Sequence, residues 1–64
     1  MILAVKKLKE IREKKALSMR DLALKAGISP STIVRIENGL PVRHITKRKI
    51  AKALGVEPNS IDFS

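Results

Sequence analysis

The sequence predicts an all-α fold built around a helix-turn-helix. Two observations carry this. Residues 19–38, MRDLALKAGISPSTIVRIEN, read as two short capped helices joined by a tight turn that contains Gly27. On either side, further stretches place apolar residues at helical spacing and end in turn residues.

The first helix is expected from about Leu3 to Lys15. Val5, Leu8 and Ile11 form its apolar stripe, with Arg12 at the edge. Its other face is Lys6, Lys7, Lys9, Glu10, Glu13 and Lys14. Most of these lysines are read as solvated surface. Glu10 and Lys14 are an i,i+4 pair in the favourable orientation, worth a few tenths of a kcal/mol, on the order of 0.3. Leu17 is expected to plug the core in the turn that follows.

Ser18 and Asp21 have the spacing of a capping box, each side chain accepting from a free amide at the helix start. Met19, Leu22, Ala23 and Ala26 then share one face. Ala23 is expected to be small because the next helix crosses close there. Gly27 is placed for a left-handed cap. A second helix starts at once, with Ser29 as N-cap, Pro30 at the first position and Ile28 stapled onto Ile33. It runs over about residues 30–38, with Ile33 and Ile36 inward and Gly39 closing it.

Leu40 to His44, between Gly39 and Ile45, read as loop. Thr46 is the expected N-cap of a helix from Lys47 to Leu54, with Ile50, Ala51 and Leu54 inward and Gly55 after it. Lys47, Arg48 and Lys49 in a first turn oppose the helix dipole, and a phosphate at that end would relieve this. Val56 is expected to pack inward, and residues 57–62 to form a last short turn. Phe63, the only aromatic residue, is either a core plug or part of a subunit interface. Leu24 falls on an outward face.

Composition narrows the function. A chain of 64 residues allows one domain, over residues 1–64, with little room for a deep substrate pocket. Cysteine is absent, which excludes disulfides and thiolate metal sites. The opening MILAV is too short for a signal-peptide core or a membrane span, so a cytoplasmic location is expected. Fourteen Lys and Arg against six Asp and Glu give a net charge of +8, which favours polyanions, nucleic acid before membrane. His44 stands alone and no catalytic set can be argued from spacing. No enzyme activity, metal, cofactor or small-molecule ligand is expected. Glu37 is the only acid on its helix and lies toward the core, where a carboxylate needs a partner; Arg12 is the natural one.

The segments LKEIRE, DLALKAGIS, STIVRIENG and IAKALGV together resemble the Cro/repressor-like (XRE-type) helix-turn-helix family over roughly residues 5–62. The resemblance implies five short helices in a lambda-repressor-like DNA-binding domain, and often a homodimer on a pseudo-palindromic operator. It also implies an ion pair between Arg12 and Glu37, phosphate contacts at the start of the second helix, where Arg20 stands, and base reading by the third. Departures are Met19, where the family often has Gln, Pro30 at a position that often reads a base, and Ala16 where Gly often ends the first helix. The last predicts a less sharp turn at Ala16. The chain also ends where many family repressors continue into an effector or dimerisation domain.

Taking Ile33 as inward and stepping 100° per residue, Ser31, Arg35 and Asn38 point outward, with Thr32 and Val34 on the flanks. Ser31, Val34 and Arg35 are therefore the expected base readers, and Arg20, Thr32, Asn38, Arg43, Lys47 and Arg48 the expected phosphate contacts. The expected activity is sequence-specific binding of double-stranded DNA by a transcriptional regulator, a repressor first. The alternatives are a protein- or RNA-binding adaptor on the same fold, for which Leu24, Leu40 and Phe63 would be contacts, and the antitoxin of a toxin–antitoxin pair.

Overall fold

A computed structural model describes residues 6–63. The expected helix start at Leu3 and the place of Val5 in its stripe lie outside the described residues. The order is β1 (Lys6–Lys7), α1 (Leu8–Lys14), α2 (Met19–Ala26), α3 (Pro30–Glu37), α4 (His44–Leu54), a 3-10 turn (Pro58–Ser60) and β2 (Ile61–Asp62).

The helices bury the faces that periodicity assigns them. Leu8, Leu22, Ala23, Ala26, Ile33, Ile36, Ile50, Ala51 and Leu54 are buried, and Ile61 joins them from β2. Leu22, Ile33 and Ile50 are the largest fully enclosed side chains, so the core centres where α2, α3 and α4 meet. Ile11, Leu17, Met19, Ile28, Val56 and Phe63 pack against it from the rim. Phe63 is thus in part a core plug. Leu24 is 75% exposed.

Three expectations about elements are corrected. Lys6 and Lys7 are extended rather than helical, pairing in parallel with Ile61 and Asp62. Ile61 is buried, and the ladder gives the backbone on both sides hydrogen-bond partners that a buried extended segment requires. Second, α4 begins at His44, with Arg43 as its N-cap residue, so Thr46 lies inside the first turn and the loop is shorter than expected. Val42 packs against the core and fixes where the chain enters the helix. Third, the last of the five helices is a single 3-10 turn, because Ile61 turns out into β2. The fold is otherwise all-helical, with four α-helices among the described residues.

β1 also brings Lys6 beside Lys14. That neighbour pushes the Lys14 ammonium below its usual pKa, against the smaller raising effect of Glu10. The expected Glu10–Lys14 attraction is therefore opposed by a neighbouring cation.

These four helices end by one device. A left-handed or positive-φ residue reverses the chain, and the next amide bonds back five residues: Leu17 N to Arg12 O (3.1 Å), Ile28 N to Ala23 O (2.9 Å), Leu40 N to Arg35 O (3.0 Å) and Val56 N to Ala51 O (3.1 Å). Three of the reversing residues are glycines. The fourth is Ala16, at φ 57°, so the turn there is as sharp as the others and the expectation of a looser one is corrected. An L-residue in that region carries about 1–2 kcal/mol of steric cost, while glycine adds about 0.4–1 kcal/mol of unfolded-chain entropy. Ala16→Gly should therefore stabilise the domain by about 0.5–1 kcal/mol. Thermal melts check this: Tm should rise by several degrees, about 4–8 °C per kcal/mol, and a fall in Tm would refute it.

Candidate nucleic-acid interface

The interface is built from α2 upward. Ser18 Oγ accepts from the Asp21 amide at 3.0 Å, and Asp21 Oδ2 accepts from the Ser18 amide at 3.2 Å, the reciprocal box that the spacing predicts. The bond from the Ser18 backbone holds the Asp21 carboxyl below its usual pKa, helped by the Ser18 side chain. A depressed carboxylate contributes stability above its unfolded pKa and loses it as pH falls through the folded value. The start of α2 is thus set firmly at neutral pH, with Arg20 exposed beside it.

Gly27 then turns the chain at φ 72°. A Cβ there would meet nothing within 4 Å, so backbone conformation, not crowding, is what favours glycine. Pro30 opens α3 at its first turn, where a missing amide costs nothing.

α3 is held from behind by an ion pair. Arg12 Nε donates to Glu37 Oε2 at 2.7 Å, and Arg12 Nη2 donates to Glu37 Oε1 at 3.2 Å. Arg12 Nη1 donates to the Leu17 carbonyl at 2.8 Å. The two side chains are 9% and 5% exposed. The hydrogen bond to Glu37 raises the guanidinium pKa, outweighing the opposing effect of burial. One arginine thereby joins α1, the turn before α2 and the end of α3.

The other side of α3 is open. Ser31, Val34, Arg35 and the C-cap residue Asn38 are exposed, and Thr32 is half-buried. Thr32 and Arg35 share a cleft of about 320 Å³ with Arg43 and Thr46. The structure therefore brings together three of the residues picked from sequence, Thr32, Arg35 and Arg43. Lys47 and Arg48 instead line a neighbouring concavity of about 840 Å³ together with Leu40, Pro41 and Phe63. Lys47 Nζ lies 5.6 Å from the centre of the Phe63 ring, a cation–π distance.

The earlier start of α4 changes its electrostatics. The first-turn amides belong to His44, Ile45 and Thr46, there is no acidic residue among them, and no side chain caps them. Lys47 and Arg48 sit further along the helix than the sequence suggests. Arg43, the N-cap residue, stands directly before those amides, and Lys47 follows them.

Two residues take roles that the sequence does not announce. Thr46, a cap by residue type, instead lines the cleft beside Arg35 and Arg43. Ser29 takes the backbone conformation of an N-cap, but its hydroxyl makes no cap bond; it contacts Ser31 Oγ at 3.0 Å and Thr32 Oγ1 at 2.9 Å. The run of hydroxyls in SPST is the available signal. Among the described residues, no group of three or more His, Cys, Asp or Glu is placed to hold a metal ion, and no helix is long and apolar enough to cross a membrane.

A helix-turn-helix family model matches residues 8–61, from the first residue of α1 to the first of β2. No curated protein and no solved structure matches the chain. The match spans the α2–turn–α3 unit and both helices that support it. On that ground the chain belongs to the Cro/repressor-like (XRE-type) helix-turn-helix family of DNA-binding regulators.

Proposed function

We propose that the chain is a sequence-specific binder of double-stranded DNA that acts as a transcriptional repressor, as a two-fold dimer on a pseudo-palindromic operator. α3 enters the major groove by its N-terminal end. Ser31, Val34 and Arg35 face base edges, with Val34 against a thymine methyl. Arg20, Thr32, Asn38, Arg43, Lys47 and Arg48 lie along the phosphates, which set register without reading sequence. Lys47 exchanges the Phe63 ring for a phosphate in that arrangement. One domain this small offers few base contacts, so two half-sites about 34–36 Å apart are needed for useful specificity. Repression follows from occupying the operator.

The observation that best supports this reading is the placement of Arg35. It stands exposed on the outer face of α3 and lines a cleft with Arg43, Thr32 and Thr46, while Arg12 and Glu37 clamp the opposite face.

Gel shift over a salt series tests it. If each subunit neutralises about four phosphates, the dimer should show a log–log slope near −7 on duplex DNA. Arg43→Ala and Arg48→Ala should each flatten that slope, by about one for every phosphate that a subunit no longer neutralises, and weaken all sequences alike. A slope near zero, or equal binding to RNA and to duplex DNA, would point instead to an adaptor.

A further inference from the structure

Ser29, Ser31 and Thr32 form a chain of three hydroxyls at the open end of α3. Ser29 Oγ is the middle member, 3.0 Å from Ser31 Oγ and 2.9 Å from Thr32 Oγ1. The Thr32 amide also donates to the Ser29 carbonyl at 3.1 Å, which ties the two residues at the backbone. Each hydroxyl has one proton and two lone-pair sites. Two links consume two of the three protons, so one proton is left for an outside partner. Ser31 and Thr32 cannot both donate outward while both links hold.

We propose that in the DNA complex this chain makes Ser31 an acceptor only, so that it reads an amino group, adenine N6 or cytosine N4, with Ser29 as the positioning residue that enforces the choice. The inference rests on the reading above, that α3 lies in the major groove with Thr32 at a phosphate. A phosphate oxygen accepts and does not donate, so Thr32 gives it its proton. Thr32 then accepts from Ser29, and Ser29 accepts from Ser31. Ser31 is left with lone pairs facing the base. In the major groove adenine N6 and cytosine N4 are the donors, whereas guanine N7 and O6 and thymine O4 are acceptors. An acceptor opposite Ser31 leaves two lone pairs facing each other and one hydrogen bond unmade. The phosphate contact, which carries no sequence information by itself, thus fixes the polarity of a base contact beside it.

The test uses the whole chain and chemically altered operators. Selection from a random duplex pool with wild type and with Ser31→Ala identifies the base pair that Ser31 reads, as the one where preference relaxes. At that pair the exocyclic amino group is then deleted, adenine to purine or cytosine to pyrimidin-2-one, and separately purine N7 is replaced by carbon. Wild type should lose about fivefold in affinity on losing the amino group and be nearly indifferent to losing N7. In Ser29→Ala, Ser31 is free to donate or accept, and the loss should shrink to under about twofold. Thr32→Val breaks the same chain from the other end and should give the same shrinkage on top of uniformly weaker binding; it decides the matter where Ser29→Ala does not fold. The proposal is overturned if Ser31→Ala relaxes no position, if N7 and not the amino group matters, or if the variants respond to amino deletion as wild type does. A wild-type protein with no sequence preference at all would instead overturn the functional reading beneath it.

Discussion

Arg12→Ala and Glu37→Ala should each cost about 3–5 kcal/mol, because each leaves the other charge buried without its partner. The total stability of a domain this size is on the order of 3–9 kcal/mol, so either change can leave a large unfolded fraction at room temperature. Arg12→Ala should be the worse of the two. It strands the Glu37 carboxylate and also removes the donor to the Leu17 carbonyl, loosening the turn that leads into α2. Replacing both residues by apolar side chains of similar size should restore much of the loss, since the main penalty is an unpaired charge and not the absence of a pair. The raised guanidinium pKa of Arg12 sets the pH dependence from that side. Its contribution is fully present below the unfolded pKa and is lost only as pH rises through the still higher folded value, so ordinary buffers do not titrate it away. Denaturant and thermal melts of the two single variants and the double apolar variant check this, and wild-type-like melting of either single variant would refute it.

The largest effect on recognition is expected at Arg35. If it reads a guanine, Arg35→Ala should cost about 1–3 kcal/mol on the operator and relax preference at one base pair per half-site. Binding to scrambled duplex should fall much less. Arg35→Lys should harm that preference nearly as much, because an ammonium lacks the planar fork that meets guanine O6 and N7. The cleft makes the competing outcome concrete. Arg35 shares it with Arg43, Thr32 and Thr46, a set that suits a phosphate equally well. If Arg35 serves that phosphate, Arg35→Lys is tolerated and every sequence weakens together. Unchanged base preference in Arg35→Ala would transfer the role to another residue of α3.

The helix-turn-helix is legible because its signals are local. A capping box, a proline at a helix start, a glycine after the last apolar residue and a 3.6-residue period each depend on a few neighbouring residues. Arg12 and Glu37 are legible for a different reason: an acid on an apolar face demands a partner, and few cations lie on an inner edge. What the sequence conceals depends on residues far apart. Lys6 and Lys7 continue a helical pattern and become extended only because Ile61 lies alongside. Thr46 is a good cap by type, yet α4 starts at His44, just after half-buried Val42 packs against the core. Ser29 keeps the backbone role its type suggests, while its hydroxyl turns to its neighbours on α3 instead.

The two-residue ladder also bears on the order of folding. It joins Lys6 to Ile61, almost the full length of the chain apart, while the helices and their caps are made from near neighbours. Closing so long a loop before the helices pack would cost chain entropy with only a few backbone bonds in return. The ladder should therefore form after the α2–α3–α4 nucleus, and destabilising it should speed unfolding more than it slows folding. Ile61→Val would show this as a change confined mainly to the unfolding limb of the chevron.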